Sequence, residues 1–233
     1  MKNKRVILFI VEGISDQEAL EALVEKIFQD DSTRVITTDG DITSADRVDV
    51  QNVIKKIWTI IVNSLKRYSL NPKDLKGIIH IVDTDGAYIP NDNIIEDKKY
   101  KECYYTPEHI HTDNKNNIEK RNKQKSSVMN RLYTNQKIRD IPYKLFYMSS
   151  NLDHVLYNKQ NNDDSMKYLD AHSFVSQYKD NIRSFILFIS SSEFSVNLPY
   201  NESWEYIKQD LHSLERHTNL GIIFQNRDCG RKS

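Results

Sequence analysis

In residues 5–11, RVILFIV, Arg5 is followed by an unbroken run of large and β-branched apolar side chains, and no other feature constrains the fold as tightly. A strand with one wet face alternates polar and apolar residues; an unbroken run belongs to a strand covered on both faces, as in a parallel sheet. The segment after it has a different period. In EGISDQEALEALVEKIF, the residues Leu20, Leu23, Val24, Ile27 and Phe28 recur at helical spacing, and Ser15 with Glu18 has the spacing of a capping box. This predicts a helix from near Asp16 and leaves Glu12 and Gly13 in the turn after the strand. A second strand, RVITT at 34–38, ends in the DGD of 39–41. From Val48 to Leu65 the positions Val50, Val53, Ile54, Ile57, Trp58, Ile61 and Leu65 trace one helical face. After the turn SLNPKDLKG comes a third apolar strand, IIHIVDTDG from 78. Strand and helix alternating in this way predict an α/β fold, a Rossmann-like central parallel sheet flanked by helices.

Residues 90–140 break the alternation, being rich in Asn, Lys and Asp, with a sparse helical pattern over 116–132 carried by Ile118, Val128, Met129 and Leu132. They read as a polar, basic insertion. YKLFYMSS (143–150) is strand-like again, NLDHVLYN enters a helix, Ser165 to His217 is mostly helical by pattern, and LGIIF (220–224) adds a strand or packs as a tail. No repeat or Gly/Ser-rich linker divides the chain. The expectation is one elaborated domain: a sheet-bearing part over 1–160 and a mainly helical C-terminal extension over 161–233 packed on it.

Lys plus Arg and Asp plus Glu are equal at 33 each among 233 residues, so any polyanionic partner must be met by a local patch. One candidate is the stretch from Lys115 to Arg139, in which Glu119 is the sole acid. There Lys120, Arg121, Lys123, Lys125 and Arg131 suit phosphate tracking, and Tyr104, Tyr105 and Tyr133 would stack on bases. The alternative is a solvated, lysine-rich helix face. The two cysteines, Cys103 and Cys229, lie far apart without a CxxC, which argues against a zinc site or disulfide framework and fits a reducing cytoplasm. The first apolar run is short for a signal peptide, no segment has the length of a membrane span, and there is no Walker A motif.

The chemistry gathers at strand ends. In open parallel sheets, functional residues lie beyond the carboxyl ends of the strands. Glu12 follows the first strand, and Asp83 and Asp85 follow the third. Two aspartates one residue apart repel unless a cation offsets them, and an all-carboxylate set suits Mg²⁺ or Mn²⁺. Glu12 would complete the shell or handle a proton, and Gly13 would let backbone approach a phosphate closely. Asp39 and Asp41 mark a turn first, with metal contact as the alternative reading.

The pair VEGISD and VDTDG, standing in this order at the ends of two strands, resembles the Toprim domain of topoisomerases, primases and OLD-family nucleases. The resemblance covers roughly residues 5–90, with 143–157 as a further stretch. It implies Mg²⁺-dependent phosphodiester chemistry with Glu12, Asp83 and Asp85 as catalytic, metal-holding carboxylates. Among Toprim proteins a small chain is most similar to the OLD-type nucleases and the compact nucleases of phage defence, acting on DNA or RNA. That likeness also implies Asp16 as a second acid after the first strand and Asp153 as one after a later strand. His154 would be a neighbouring acid or base, with a structural role as the alternative. The family's transition-state lysine has no assignable counterpart. A homodimer and a separate ATPase or sensor partner are further implications. Two rival readings stand beside this one: a haloacid-dehalogenase-type phosphatase, with Asp83 as nucleophile and Asp85 as acid/base, and a catalytically weak Toprim-like module that binds nucleic acid or an ATPase.

Overall fold

The computed structural model describes residues 6–28, 32–37 and 41–224; Asp39, Cys229 and the C-terminal NRDCGRKS lie outside them. Strands β1 (Val6–Val11), β2 (Ser32–Thr37), β3 (Leu75–Asp83) and β8 (Ile141–Met148) are mutually parallel, and β7 (Lys137–Ile138) pairs antiparallel with β8. The order across the sheet is β2-β1-β3-β8-β7. Helices α1 (Ile14–Ile27), α2 (Val53–Arg67), α3 (Lys115–Tyr133), α4 (Leu152–Tyr157), α5 (Asp164–Tyr178), α6 (Ile182–Ser191) and α7 (Tyr200–Ile207) flank it, so the fold is α/β and Rossmann-like. No helix among the described residues is long and apolar enough to cross a membrane.

The unbroken run in β1 is explained by its two coverings. Val6, Leu8 and Ile10 face one layer, with Val53, Ile57, Ile61 and Leu65 of α2, Val128, Met129 and Leu132 of α3, and Trp204 of α7. Ile7, Phe9 and Val11 face the other, with Ala19, Leu20, Leu23 and Val24 of α1, Phe174 of α5 and Phe185 of α6. Successive strand side chains point to opposite faces, and each such burial contributes about 1.5–3 kcal/mol.

Several expectations are corrected. The first helix begins at Ile14, not Asp16: Gly13 is its N-cap, and the Asp16 carboxylate, rather than a Ser15–Glu18 box, accepts the Gly13 N–H at 2.9 Å. The second helix begins at Val53; Val50 lies in the preceding turns, exposed. Residues 90–140 are only partly an excursion. Helix α3 is the crossover between the parallel strands β3 and β8, with its sparse apolar edge in the main core. The excursion proper is a small sheet, β4 (Ile94–Glu96), β6 (Ile110–Thr112) and β5 (Tyr104–Tyr105) in the order β4-β6-β5, around a minor core of Ile89, Ile94, Ile110 and Leu214. Residues Leu220–Ile223 form a 3₁₀ turn with Leu220 and Phe224 buried in the core, so of the two readings of 220–224 the packed tail stands and the strand does not.

Candidate metal centre

The chain leaves β1 through α1 on one face to reach β2, then returns through α2 on the other face to β3, on the far side of β1. Between β1 and β3 the connections diverge, and such a switch point opens a crevice at the carboxyl ends of the strands. The pairing of Ile10 with His80 brings Glu12 level with the end of β3. Glu12, Asp16, Asp83, Asp85 and Asp153 all line one cleft of about 890 Å³.

The turn that carries Asp85 is held rigidly. Thr84 is fully buried; its hydroxyl donates to the Ser213 carbonyl at 2.6 Å and accepts the Ser150 N–H at 2.9 Å. The Asp85 N–H donates to the Ser150 carbonyl at 2.7 Å, and the Gly86 N–H to the Ser213 carbonyl at 3.1 Å. Asp85 and Gly86 are both left-handed, with φ of 47° and 65°. Asp tolerates that conformation better than most residues and Gly without penalty, which is why Asp-Gly suits a chain reversing directly after a strand.

Lys125 of α3 is the unexpected member. Its side chain is fully buried, and its ammonium donates to Asp85 Oδ2 at 2.6 Å and to Asp41 Oδ2. Asp41, just after β2, is also held by the Ser44 hydroxyl at 2.5 Å and the Thr43 N–H at 2.8 Å. Burial disfavours the Asp41 charge, but Lys125 and these donors outweigh it and hold the carboxyl well below its usual range. Burial disfavours the ammonium too, and Asp85, Glu12 and Asp41 outweigh it, raising the Lys125 pKa well above that of a free lysine. Glu12 goes the other way. Burial pushes its carboxyl well above the ordinary range; Lys125 opposes this, while Asp41, Asp83 and Asp85 add to it. Asp83 is likewise raised by burial and then by Asp16 and Asp85. The crevice thus gathers more carboxyl groups than Lys125 can hold as anions.

Asp16 and Asp153 extend this cluster. Burial raises both, Asp153 to about 6, with Lys167 of α5 opposing the shift at each. One Asp16 oxygen is committed to Gly13, whereas Asp153 Oδ1 is buried without a hydrogen-bond partner. His154 does not line the cleft; burial, Arg216 and His217 hold its pKa down to about 4. Arg216 donates to the Val155 carbonyl of α4 at 2.7 and 3.1 Å and lies 4.2 Å from the Phe194 ring centre, which makes it a helix-end clamp.

The basic stretch separates in two. Lys120, Lys123 and Arg131 are exposed on α3, as a phosphate-tracking surface requires. Lys125 is not, and Arg121 is turned inward: its guanidinium donates to the Asp85 carbonyl at 2.8 Å and to Tyr105 Oη at 3.1 Å. Both are corrected from surface contacts to internal supports of the acidic turn. Tyr133 stacks on Trp204, centroids 5.0 Å apart.

The donor set fits a divalent cation of the Mg²⁺ kind. All donors are hard carboxylate oxygens, and Glu12 Oε1 is buried without a hydrogen-bond partner. Among the described residues no three His, Cys, Asp or Glu side chains already stand close enough to hold an ion. From sequence Lys125 reads as a surface phosphate contact and Asp41 as a turn residue with metal contact as the alternative; their pairing inside the site was not read, although one signal for Lys125 was present. Ile118, Asn122, Lys125, Met129 and Leu132 fall at helical spacing on the inward face of α3, so Lys125 stands in the apolar register. The chain matches no family model, no curated protein and no solved structure, which leaves the chemistry of the cleft as the guide to its function.

Proposed function

We propose that the protein is a divalent-metal-dependent nuclease, Toprim-like in its arrangement, which hydrolyses phosphodiester bonds with Glu12, Asp83 and Asp85 as its working carboxylates. The observation that carries the reading is the convergence of Glu12 and Asp83, both with raised pKa and Glu12 with an unpartnered buried oxygen, at the switch point of a parallel sheet. Glu12 and Asp83 would hold Mg²⁺ or Mn²⁺, which when bound supplies an activated water and offsets charge on the phosphate. Lys125 keeps a buried ammonium beside Asp85 and Glu12 and so fixes the acidic turn that would face the phosphate. Asp41 positions that ammonium from the side of β2. Lys120, Lys123 and Arg131, exposed along α3, would track the strand beyond the cleft.

One observation favours a second reading, a binding module without hydrolysis: Lys125 already neutralises Asp85 and Asp41 internally. A single experiment separates the two. Labelled plasmid, single-stranded DNA and tRNA are incubated with Mg²⁺ or Mn²⁺, wild type beside Glu12→Gln and Asp83→Asn. The nuclease reading expects metal-dependent cutting that falls at least about 100-fold in either variant. Cutting that survives both substitutions, or none by the wild type on any substrate, rejects it, and the latter with binding retained supports the module.

A further inference from the structure

Besides the carboxylates, the cleft is lined by residues 99–105, the segment that leads into and forms strand β5 of the small sheet. Here the rings of Tyr100 and Tyr104 stack, centroids 5.0 Å apart and planes inclined at 22°. Tyr104 pairs across the sheet with His111, whose ring lies 5.3 Å from Tyr100, so the stack has a fixed backing. Lys99 places its ammonium 5.1 Å from the centre of the Tyr100 ring. Tyr104 is nevertheless 41 % exposed. A stack formed only to fill a core would hide its outer ring.

The platform is tied to the acidic turn. Strand alternation turns Tyr105 to the opposite face from Tyr104, where its hydroxyl accepts from Arg121, the same guanidinium that donates to the Asp85 carbonyl. Asn161 closes the other side: its amide donates to the Tyr105 carbonyl at 2.7 Å and its carbonyl accepts the Tyr105 N–H at 2.8 Å. Lys99 and Lys101 line the cleft beside the rings, and Lys167 lines it near Asp153. Aromatic faces flanked by cations and held at a fixed place beside a phosphate-cleaving centre match what an unpaired nucleotide presents, a free π-face joined to an anionic backbone. Bases in a duplex already stack on each other and offer no such face.

We propose that the Tyr100–Tyr104 stack is a base-stacking platform and that the substrate of this cleft is single-stranded nucleic acid. The substrate assignment rests on the nuclease reading above. The platform itself does not, because stacking is read by binding. The test measures affinity for a fluorescent single-stranded oligonucleotide, as DNA and as RNA, against a duplex of the same sequence, with Ca²⁺ replacing Mg²⁺, for wild type, Tyr104→Ala and Tyr104→Phe. A parallel series places 2-aminopurine in the strand and reads its quenching. Expected are preference for the single strand, a loss of about ten-fold or more in Tyr104→Ala with quenching abolished, and retention of both in Tyr104→Phe. Wild-type affinity and quenching in Tyr104→Ala, or equal or stronger binding of the duplex, overturns the platform. The two readings fail separately. Cleavage lost in Glu12→Gln but unchanged in Tyr104→Ala on every substrate leaves the nuclease and removes the platform. Tyr104-dependent stacking without metal-dependent cleavage leaves the platform and removes the nuclease.

Discussion

Lys125 has no exposed surface, and both its partners are carboxylates with side chains about one-fifth exposed, Asp41 at 21 % and Asp85 at 22 %. Removing one partner of a buried pair leaves uncompensated charge, which costs about 3–5 kcal/mol where burial is complete. Because the carboxylates keep some water, Lys125→Met is expected at the low end, about 3 kcal/mol less stable by urea unfolding. Adding Asp41→Asn should restore part of that loss, since the two sites share one interaction. A Lys125→Met protein as stable as wild type would refute the pairing. Reading this lysine from sequence was hard because its nearest charged neighbours in the chain are the surface residues of α3, while its ion partners stand 84 and 40 positions away. His80 poses a different question at the same scale. It is buried on β3 with Nδ1 2.8 Å from the Tyr143 hydroxyl, and burial holds its pKa down to about 3. Above pH 6.5 the imidazole is neutral in both folded and unfolded chains. As pH falls below that value the unfolded chain takes up a proton that the folded one refuses, so stability declines towards pH 3, by up to about 1.4 kcal/mol per unit. In His80→Gln the decline between pH 6 and 4 should be shallower by up to one proton; equal slopes in the two proteins would show that His80 titrates freely.

At the scale of elements, the turn after β3 concentrates the constraints. A Cβ on Gly86, whose φ is +65°, would stand 3.0 Å from Ile110 Cδ1 and 3.2 Å from Leu214 Cδ1, in the minor core beneath the small sheet. Gly86→Ala is therefore expected to cost about 1–2 kcal/mol from backbone conformation alone, with any crowding adding to it. Gly77→Ala is the control: its φ is not left-handed, and its added Cβ meets only the Pro142 carbonyl at an ordinary 3.7 Å. Equal unfolding midpoints for the two variants would count against the left-handed turn. The strands and helices beside this turn were legible because each has a single period: β1 is apolar throughout, and α2 buries Val53, Ile57, Ile61 and Leu65. Helix α3 was half legible. Its apolar edge was visible in Val128, Met129 and Leu132, but the polar residues around it masked its role as a crossover on the sheet. The start of α1 was misplaced because Asp16, not Glu18, reaches back to the N-cap, a choice between two acids that sequence spacing leaves open.

At the scale of the molecule, strand order decides which carboxylates meet. Glu12 and Asp83 converge because β1 and β3 are neighbours at the switch point, and strand-end logic alone anticipated this from the sequence. Asp41, after β2 beside β1, is tied to them by Lys125 as α3 returns across the sheet, a pairing that no local pattern encodes. The convergence leaves the folded state with carboxylates that burial and mutual repulsion both disfavour as anions. A bound divalent cation should therefore stabilise the fold by linkage, by about 2.7 kcal/mol at a hundredfold excess over its Kd. For a chain of this size each kcal/mol moves Tm by about 2–4 °C, so saturating Mg²⁺ should raise the melting temperature measurably. Asp83→Asn removes one of the strained anions, so its metal-free Tm should exceed that of wild type while its response to Mg²⁺ shrinks or disappears. NaCl at matched ionic strength separates binding from screening, since screening acts on both proteins alike. If Mg²⁺ and matched NaCl shift wild type and Asp83→Asn by the same amount, the cation does not bind between Glu12 and Asp83, and the charge there is balanced by protons and Lys125 alone.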